Sequence, residues 1–218
     1  MVRLEDLIRD YAARRQELEK LGAYFLGEIT AEEAERCAKT LLLMTIERSG
    51  FPDRPITIYI NSGGGSVGAG LAIMEMIYRL KREYKVTINT VVTGYAYSMG
   101  AIVVQAGDKR TMGHFSTMML HSSSWMLSGE DEKIFKDYQK LAKHYQQIVG
   151  ELFARRSGQR DARWWTRFIY SGRDKFLSAR ECLELGLVDE VCDAGNCYDN
   201  LADVPAAPTR DPDVPRRR

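Results

Sequence analysis

Residues 56–66 read ITIYINSGGGS, and this stretch decides the fold class. Residues 56–60 are dense in β-branched and aromatic side chains, a composition typical of a buried strand. After the glycines at 63–65, apolar side chains recur at helical spacing through Leu71, Met74 and Ile77. A strand that passes through a glycine turn into a helix is the repeating unit of parallel α/β folds.

The same alternation continues on both sides of this stretch. Strands are predicted at 23–26, 86–92, 117–120 and 187–191, and helices from Thr30 to Leu42, after Ser98, at 130–156 and at 178–185. The apolar face of the long helix is predicted to consist of Ile134, Tyr138, Leu141, Tyr145, Ile148 and Leu152. We therefore expect an α/β domain with a mostly parallel sheet.

Composition and patterning divide the chain into three segments. Residues 1–22 predict an amphipathic N-terminal helix, residues 23–193 carry the α/β domain, and the Ala/Pro/Asp-rich residues 194–218 are typical of a disordered tail. The chain is 44% hydrophobic with a net charge of +1, which favours a globular core and no nucleic-acid partner. It has no apolar run of about 18 residues, so no membrane span is predicted. With no apolar leader and no CxxC pair, we expect a cytoplasmic protein with reduced thiols.

Two side chains follow predicted strands at the edge where α/β sheets present their sites. One is His121; His114 is expected on the surface, and His144 on a solvated or packed face of the long helix. The other is Ser98 at a strand-to-helix turn, where it is either an N-cap or a nucleophile facing backbone N–H groups of the helix start. The G-x-S-x-G motif is not matched, because Ala96 stands two residues before it.

The glycine turn at 63–65 has three interpretations from the residues alone. Phosphate binding is weakly supported, since neither GxxxxGK[ST] nor GxGxxG is present. Glycines also allow the backbone to approach a peptide closely and to aim N–H groups at it. A tight turn with no further role explains the glycines about as well.

The order of the motifs resembles the ClpP family of serine peptidases. The resemblance covers roughly residues 24–192 and rests on YINSGGGSV at 59–67, SMGA at 98–101, MLH at 119–121, SGQ at 157–159, RDKFLSA at 173–179 and GLVD at 186–189. It implies a ClpP/crotonase-like spiral of mostly parallel strands with flanking helices. It also implies a peptidase domain at 23–193 that uses no metal and no other cofactor.

The resemblance assigns catalytic roles to three residues. The family's nucleophile, base and triad aspartate match Ser98, His121 and Asp174. In such a triad the histidine takes the serine proton and later gives it to the leaving amine, while the aspartate orients the imidazole.

The oxyanion and substrate positions follow from the same match. Gly65 and Met99 stand where the family has the two N–H groups of its oxyanion hole. The substrate chain is implied to lie extended along Gly64, Ser66 and Val67, held mainly by main-chain hydrogen bonds.

Several positions depart from the family pattern. Tyr97 stands where a small residue usually precedes the serine, so we expect its bulk to reshape the pocket. Ser122 and Ser123 replace Gln-Pro after the histidine, and Lys175 replaces an arginine of the inter-ring contact. Because lysine cannot form a bidentate fork, these changes argue against firm stacking of two rings.

The resemblance implies a serine endopeptidase that cleaves peptides or unfolded protein inside a homo-oligomeric ring, heptameric or stacked in pairs. An AAA+ unfoldase is a partner in the family, but residues 3–21 predict a helix where the family has a mobile axial loop, which argues against that partner. Two alternatives stay open: a ClpP-like protease or scaffold of phage head maturation, and an acyl-CoA enzyme of the crotonase type.

Overall fold

The computed structural model describes residues 17–48, 54–122 and 132–192. Within them one sheet contains the strands β1 (Ala23–Leu26), β2 (Ile56–Ser62), β3 (Ile88–Tyr97), β4 (Arg110–Gly113), β5 (Thr117–Leu120), β6 (Lys175–Ser178) and β7 (Glu190–Cys192). The flanking helices are α1 (Ala31–Glu47), α2 (Val67–Tyr84), α3 (Met99–Val104), α4 (Glu132–Ser157), α5 (Ala162–Ile169) and α6 (Ala179–Glu184). The predicted N-terminal helix falls outside the described residues except for a helical turn at 17–20, and the predicted tail falls outside them altogether.

The sheet is mostly parallel, which confirms the predicted α/β class. Its main path is β1-β2-β3-β4-β7, with every neighbouring pair parallel. β3 is long enough to pair with β4 through residues 90–92 and with β5 through residues 95–97. β5 also pairs antiparallel with β6. The end of β3 therefore forms a small unit with β5 and β6, beside the main sheet.

The stretch at 56–66 folds as its pattern predicts. Ile56, Ile58 and Ile60 of β2 are fully buried between neighbouring strands and the covering helices. Helix α2 begins after the N-cap Ser66, whose side chain accepts a hydrogen bond from the Ala69 N–H. In the described residues, no helix is both long enough and apolar enough to cross a bilayer.

The long helix α4 buries a different face from the predicted one. Val149 and Phe153 are its core residues, whereas Tyr138 and Ile148 are more than a third exposed. The reason is the unpredicted helix α5, whose fully buried Trp165 packs its ring 5.2 Å from that of Phe153. Because two helices meet there, the buried stripe of α4 is set by its partner and not by the most apolar line along it.

The cysteines correct one expectation. Cys37 and Cys182 are free and buried, and burial raises the pKa of each thiol to about 12. Cys192, however, is disulfide-bonded, so the prediction that all the thiols are reduced is wrong.

A buried arginine links a partly exposed carboxylate to the residue that follows helix α3. Arg110 of β4 is 4% exposed, and its backbone N–H and Nε donate to Asp189 Oδ2 at 2.8 and 3.1 Å. Its Nη1 donates to Gln105 Oε1, just after α3, at 2.7 Å. Burial acts to raise the pKa of the Asp189 carboxyl, but the hydrogen bonds from Arg110 outweigh it and hold the pKa below its ordinary value.

We expect Asp189→Ala to lower the free energy of unfolding by about 3 kcal/mol, because the buried Arg110 loses its carboxylate. Urea unfolding at pH 7 measures this. The control is Glu190→Ala, which removes the neighbouring exposed pair with Lys109 and should cost less than about 1 kcal/mol. Because folding lowers the Asp189 pKa, its contribution is complete above the unfolded pKa of about 3.9 and is lost as the pH falls through the folded pKa. Equal losses in the two variants at pH 7 would contradict the assignment.

Candidate active site

Ser98 lies at the end of β3 in a strained backbone conformation. Its φ of 53° and ψ of −121° are rarely adopted by residues other than glycine. The Ser98 N–H donates to the Met119 carbonyl of β5 at 2.8 Å, and helix α3 begins at the next residue. The Ser98 side chain makes no capping hydrogen bond, so the interpretation of Ser98 as a side-chain N-cap is wrong.

The Ser98 hydroxyl instead contacts His121. The distance from Ser98 Oγ to His121 Nε2 is 2.7 Å. This proximity follows from the parallel pairing of β3 with β5, in which Tyr97 lies opposite Met119 and the carboxyl ends of both strands meet. The contact is short enough for an imidazole to take the proton of a hydroxyl.

Asp174 reaches the same histidine from the other side. Leu120 pairs with Lys175 in the antiparallel ladder of β5 and β6, so His121 and Asp174 stand where the next pair would follow. The distance from Asp174 Oδ1 to His121 Nδ1 is 3.9 Å, which is an ion-pair distance and longer than a hydrogen bond. The Asp174 side chain is 57% exposed, whereas that of His121 is 25% exposed.

The glycine turn fits between Ser98 and the loop after β1. Gly64 and Gly65 have φ values of +100° and +141°. A Cβ on Gly64 would lie 2.8 Å from the Ser98 Cβ, and one on Gly65 would lie 2.2 Å from the Ile29 carbonyl oxygen. Only glycine fits both the conformation and the space at these two positions, as a tight turn at this place requires.

Ile29 holds this turn by two main-chain hydrogen bonds, a role that the sequence did not reveal. Its N–H donates to the Gly64 carbonyl at 2.9 Å, and its carbonyl accepts from the Ser66 N–H at 2.8 Å. These groups of Gly64 and Ser66 are thereby occupied. Among the described residues, by contrast, no hydrogen bond is found from the N–H of Gly65 or from that of Met99.

Beside Ser98 lies a pocket of about 130 Å³, lined mostly by apolar side chains together with Ser98, His121 and Tyr170. Its lining includes Val67 of the predicted substrate segment, with Gly65, Met99, Ile102, Leu120, Val149, Phe153, Ile169 and Tyr170. Sequence reasoning missed the wall supplied by α4 and α5. The signal was present in the helical spacing of Val149 and Phe153, one residue displaced from the predicted face. Burial raises the pKa of Tyr170 to about 12, so its phenol is neutral at pH 7.

Tyr97 does not reshape this pocket, contrary to expectation. Its neighbour Ala96 is fully buried, and because side chains alternate along a strand, Tyr97 points to the opposite face. There its hydroxyl shares a hydrogen bond of 2.8 Å with Thr117 Oγ1.

His114 is exposed, as predicted, and so is His144. Within the described residues, no group of three or more His, Cys, Asp or Glu side chains is placed to hold a metal ion.

Comparison with known proteins agrees with this arrangement of strands and turns. Residues 10–195 match the family described as Clp protease. The chain belongs to the Clp protease family. It is 32% identical over 170 residues to a protein named ATP-dependent Clp protease proteolytic subunit from Chlorella vulgaris, covering 77% of this chain and 79% of that protein. Membership in the Clp protease family confirms the predicted resemblance and makes the chain a ClpP-like protease; it does not favour the acyl-CoA alternative.

The fit of the glycine turn generates a prediction for this Clp protease family member. Gly65→Ala should lower the hydrolysis rate of a fluorogenic peptide by about 100-fold, because the new Cβ must push the turn away from Ile29. The matched control is Gly63→Ala, since a Cβ there meets nothing within 4 Å, and its rate should stay within about twofold of wild type. Equal activity of the two variants would contradict a positioning role for the turn.

Proposed function

We propose that this chain is the subunit of a serine endopeptidase that cleaves peptides or unfolded protein inside a homo-oligomeric ring. Ser98 is the nucleophile, His121 the general base and Asp174 the residue that orients the imidazole. The observation that carries the proposal is the 2.7 Å contact between Ser98 Oγ and His121 Nε2 at the mouth of an apolar pocket.

The proposed reaction is an acyl transfer in two steps. Ser98 Oγ attacks the carbonyl carbon of the scissile bond as its proton passes to His121 Nε2. The tetrahedral intermediate then collapses, the bond to the leaving amine breaks, and His121 gives that amine the proton. A water molecule repeats the sequence on the acyl-enzyme and releases Ser98.

The oxyanion of the tetrahedral intermediate needs donors that are already in place. The N–H groups of Gly65 and Met99 suit this role, because both residues border the pocket beside Ser98 and neither N–H is engaged within the described part of the chain. The two hydrogen bonds of Ile29 fix the turn that carries the Gly65 N–H, so this donor is positioned before substrate arrives.

Asp174 completes the proposed triad, but it lies farther from His121 than a hydrogen bond allows. Its 3.9 Å separation from His121 Nδ1 must shorten by about 1 Å to become a hydrogen bond. Catalytic hydrogen bonds are often long in substrate-free enzymes and tighten in the complex, so this distance is compatible with an orienting role. The carboxylate would hold the imidazole in the tautomer that leaves Nε2 free to accept the proton.

Two observations support assembly into a ring. The family suggests it, and the subunit carries a set of apolar side chains that are more than half exposed, among them Leu21, Phe25, Leu43, Ile46 and Phe115. A single subunit with an open site would also not restrict access to folded proteins. Confinement within a ring supplies that restriction, and extended peptides or unfolded chains are then the substrates that enter.

The apolar pocket predicts the side chain accepted before the cleaved bond. A peptide with Leu there should have a kcat/KM at least about tenfold above one with Asp, because most of the lining side chains are apolar and none is Lys or Arg. Val149→Phe fills part of the pocket and should lower turnover of the Leu peptide more than that of an Ala peptide. Ile148→Phe, on the exposed side of α4, is the control and should change neither. An unchanged Leu-to-Ala ratio in Val149→Phe would rule out this pocket as the side-chain site.

The nucleophile is tested by covalent labelling. Ser98→Ala should abolish labelling by a fluorophosphonate probe, because no other hydroxyl in the described part of the chain contacts His121, and should abolish peptide cleavage. Ser171→Ala, an exposed serine outside the pocket lining, should label as wild type. Native mass spectrometry should find both variants in the same ring-sized particle. Persistent labelling of Ser98→Ala would refute the nucleophile, and a monomeric particle would refute the ring.

A further inference from the structure

An aromatic pair lies beside the proposed triad without touching its polar atoms. Tyr97 directly precedes Ser98 on β3, and Phe176 follows Asp174 by two residues on β6. Their ring centroids lie 5.8 Å apart at an interplanar angle of 90°, the edge-to-face geometry that aromatic pairs favour. We refer to Tyr97 and Phe176 as the aromatic strut.

Strand register places the strut next to the contact between His121 and Asp174. Met119 of β5 pairs with Tyr97 on one side and with Phe176 on the other, so the two rings meet across the middle strand. Residues that pair in a ladder share a face, and so do residues two apart along a strand. His121 follows Met119 by two residues and Asp174 precedes Phe176 by two, so the strut lies close along both strands to the contact between His121 and Asp174.

The strand that carries Asp174 is weakly held on this face. β6 is four residues long and pairs with β5 alone among the described strands. Leu177 anchors it to the core from the opposite face, where it is buried. On the other face, the only ring contact of Phe176 within the described residues is the one with Tyr97, and Phe176 is 62% exposed.

Tyr97 is itself fixed well enough to act as the support. Its hydroxyl bonds to Thr117 Oγ1 at 2.8 Å, and its ring lies 4.9 Å from that of Tyr95. Both contacts lie within β3 and β5, so Tyr97 stays in place when β6 moves. Phe176 is thus the movable side of the strut.

We propose that Tyr97 is a positioning residue that acts through Phe176 to hold Asp174 against His121. The inference rests on the proposed function, because it presupposes the triad. At 3.9 Å the contact is already longer than a hydrogen bond, and movement of β6 away from β5 would lengthen it further. Because Tyr97 does not border the pocket, its loss should lower the chemical step and leave substrate binding intact.

The test compares acylation of Ser98 by a fluorophosphonate probe with kcat and KM for a peptide. Tyr97→Ala should lower the acylation rate and kcat by about tenfold or more, with KM unchanged, since misplacing a catalytic group by about 1 Å costs up to ~100-fold. Tyr97→Phe keeps the ring and should retain most of the rate. Tyr84→Ala, an exposed tyrosine at the end of α2, is the matched control and should behave as wild type.

Two combinations separate positioning from a general loss of structure. The double variant Tyr97→Ala/Phe176→Ala should be no slower than the slower single variant, because both remove the same support. In an Asp174→Asn background, Tyr97→Ala should cause no further loss, because the group it positions is already disabled. A merely structural role would lower the rate equally in both backgrounds.

The results distinguish a failure of the positioning role of Tyr97 from a failure of the proposed peptidase function. If the wild type does not label at Ser98, the proposed function fails. If the wild type labels and Tyr97→Ala reacts at the wild-type rate, or loses the same factor in the Asp174→Asn background, the positioning role fails and the triad stands. Should Tyr97→Ala not fold, Phe176→Ala, which alters a largely exposed side chain, provides the same comparison in both backgrounds.

Discussion

The pairing of β5 with two strands of opposite direction is the constraint on which the site depends. β5 runs parallel to β3 and antiparallel to β6. The parallel pairing brings the carboxyl end of β3, with Ser98, to the carboxyl end of β5, with His121. The antiparallel pairing brings the start of β6, with Asp174, to the same end. A slip of one residue in either ladder would turn the residues to the opposite face and separate the three side chains.

The same strand arrangement explains how Ser98 keeps its strained backbone conformation. A non-glycine residue at φ 53° costs about 1–3 kcal/mol and persists only when its surroundings determine it. Here the Ser98 N–H is held by the Met119 carbonyl, and Gly64 packs so closely that a Cβ would fall 2.8 Å from the Ser98 Cβ. The strain lifts the hydroxyl away from the capping position that a serine at a helix start otherwise takes, and directs it to His121.

The sequence predicts the parts of this arrangement that are local. The strand at 56–60, the glycine turn and the serine at a strand-to-helix turn are each visible in a short window, because burial, backbone freedom and capping leave compositional signals. Asp174 is different, since it stands between Arg173 and Lys175 in what reads as an ordinary charged surface. The sequence pointed to Asp174 only through the resemblance, because β6 is too short to be recognised by alternation. The register of β6 then brings Asp174 close to His121.

The same distinction explains the other errors. Which face of α4 forms the pocket wall depends on where Trp165 of α5 packs against it. The apolar periodicity within α4 carries no information about the position of that neighbouring helix. Tyr97 was expected in the pocket because it adjoins Ser98 in the chain. Along a strand, however, adjacency in sequence means opposite faces, and the resemblance to a family with a small residue there could not say which face the larger side chain would take.

Ser98 and Asp174 are held by interactions of different strength. Helix α3 begins beside Ser98 and ends at Val104, and the side chain of the next residue, Gln105, accepts from the buried Arg110 and donates to the Leu187 carbonyl at 3.1 Å. Ser98 is thus tied, through one short helix, to a network of buried hydrogen bonds that would be costly to open. Asp174 has one short ladder, a buried Leu177 and a half-exposed ring contact. Because local opening starts where buried contacts are fewest, β6 should separate before Ser98 moves, and the contact between His121 and Asp174 is the part of the site whose geometry depends most on its support.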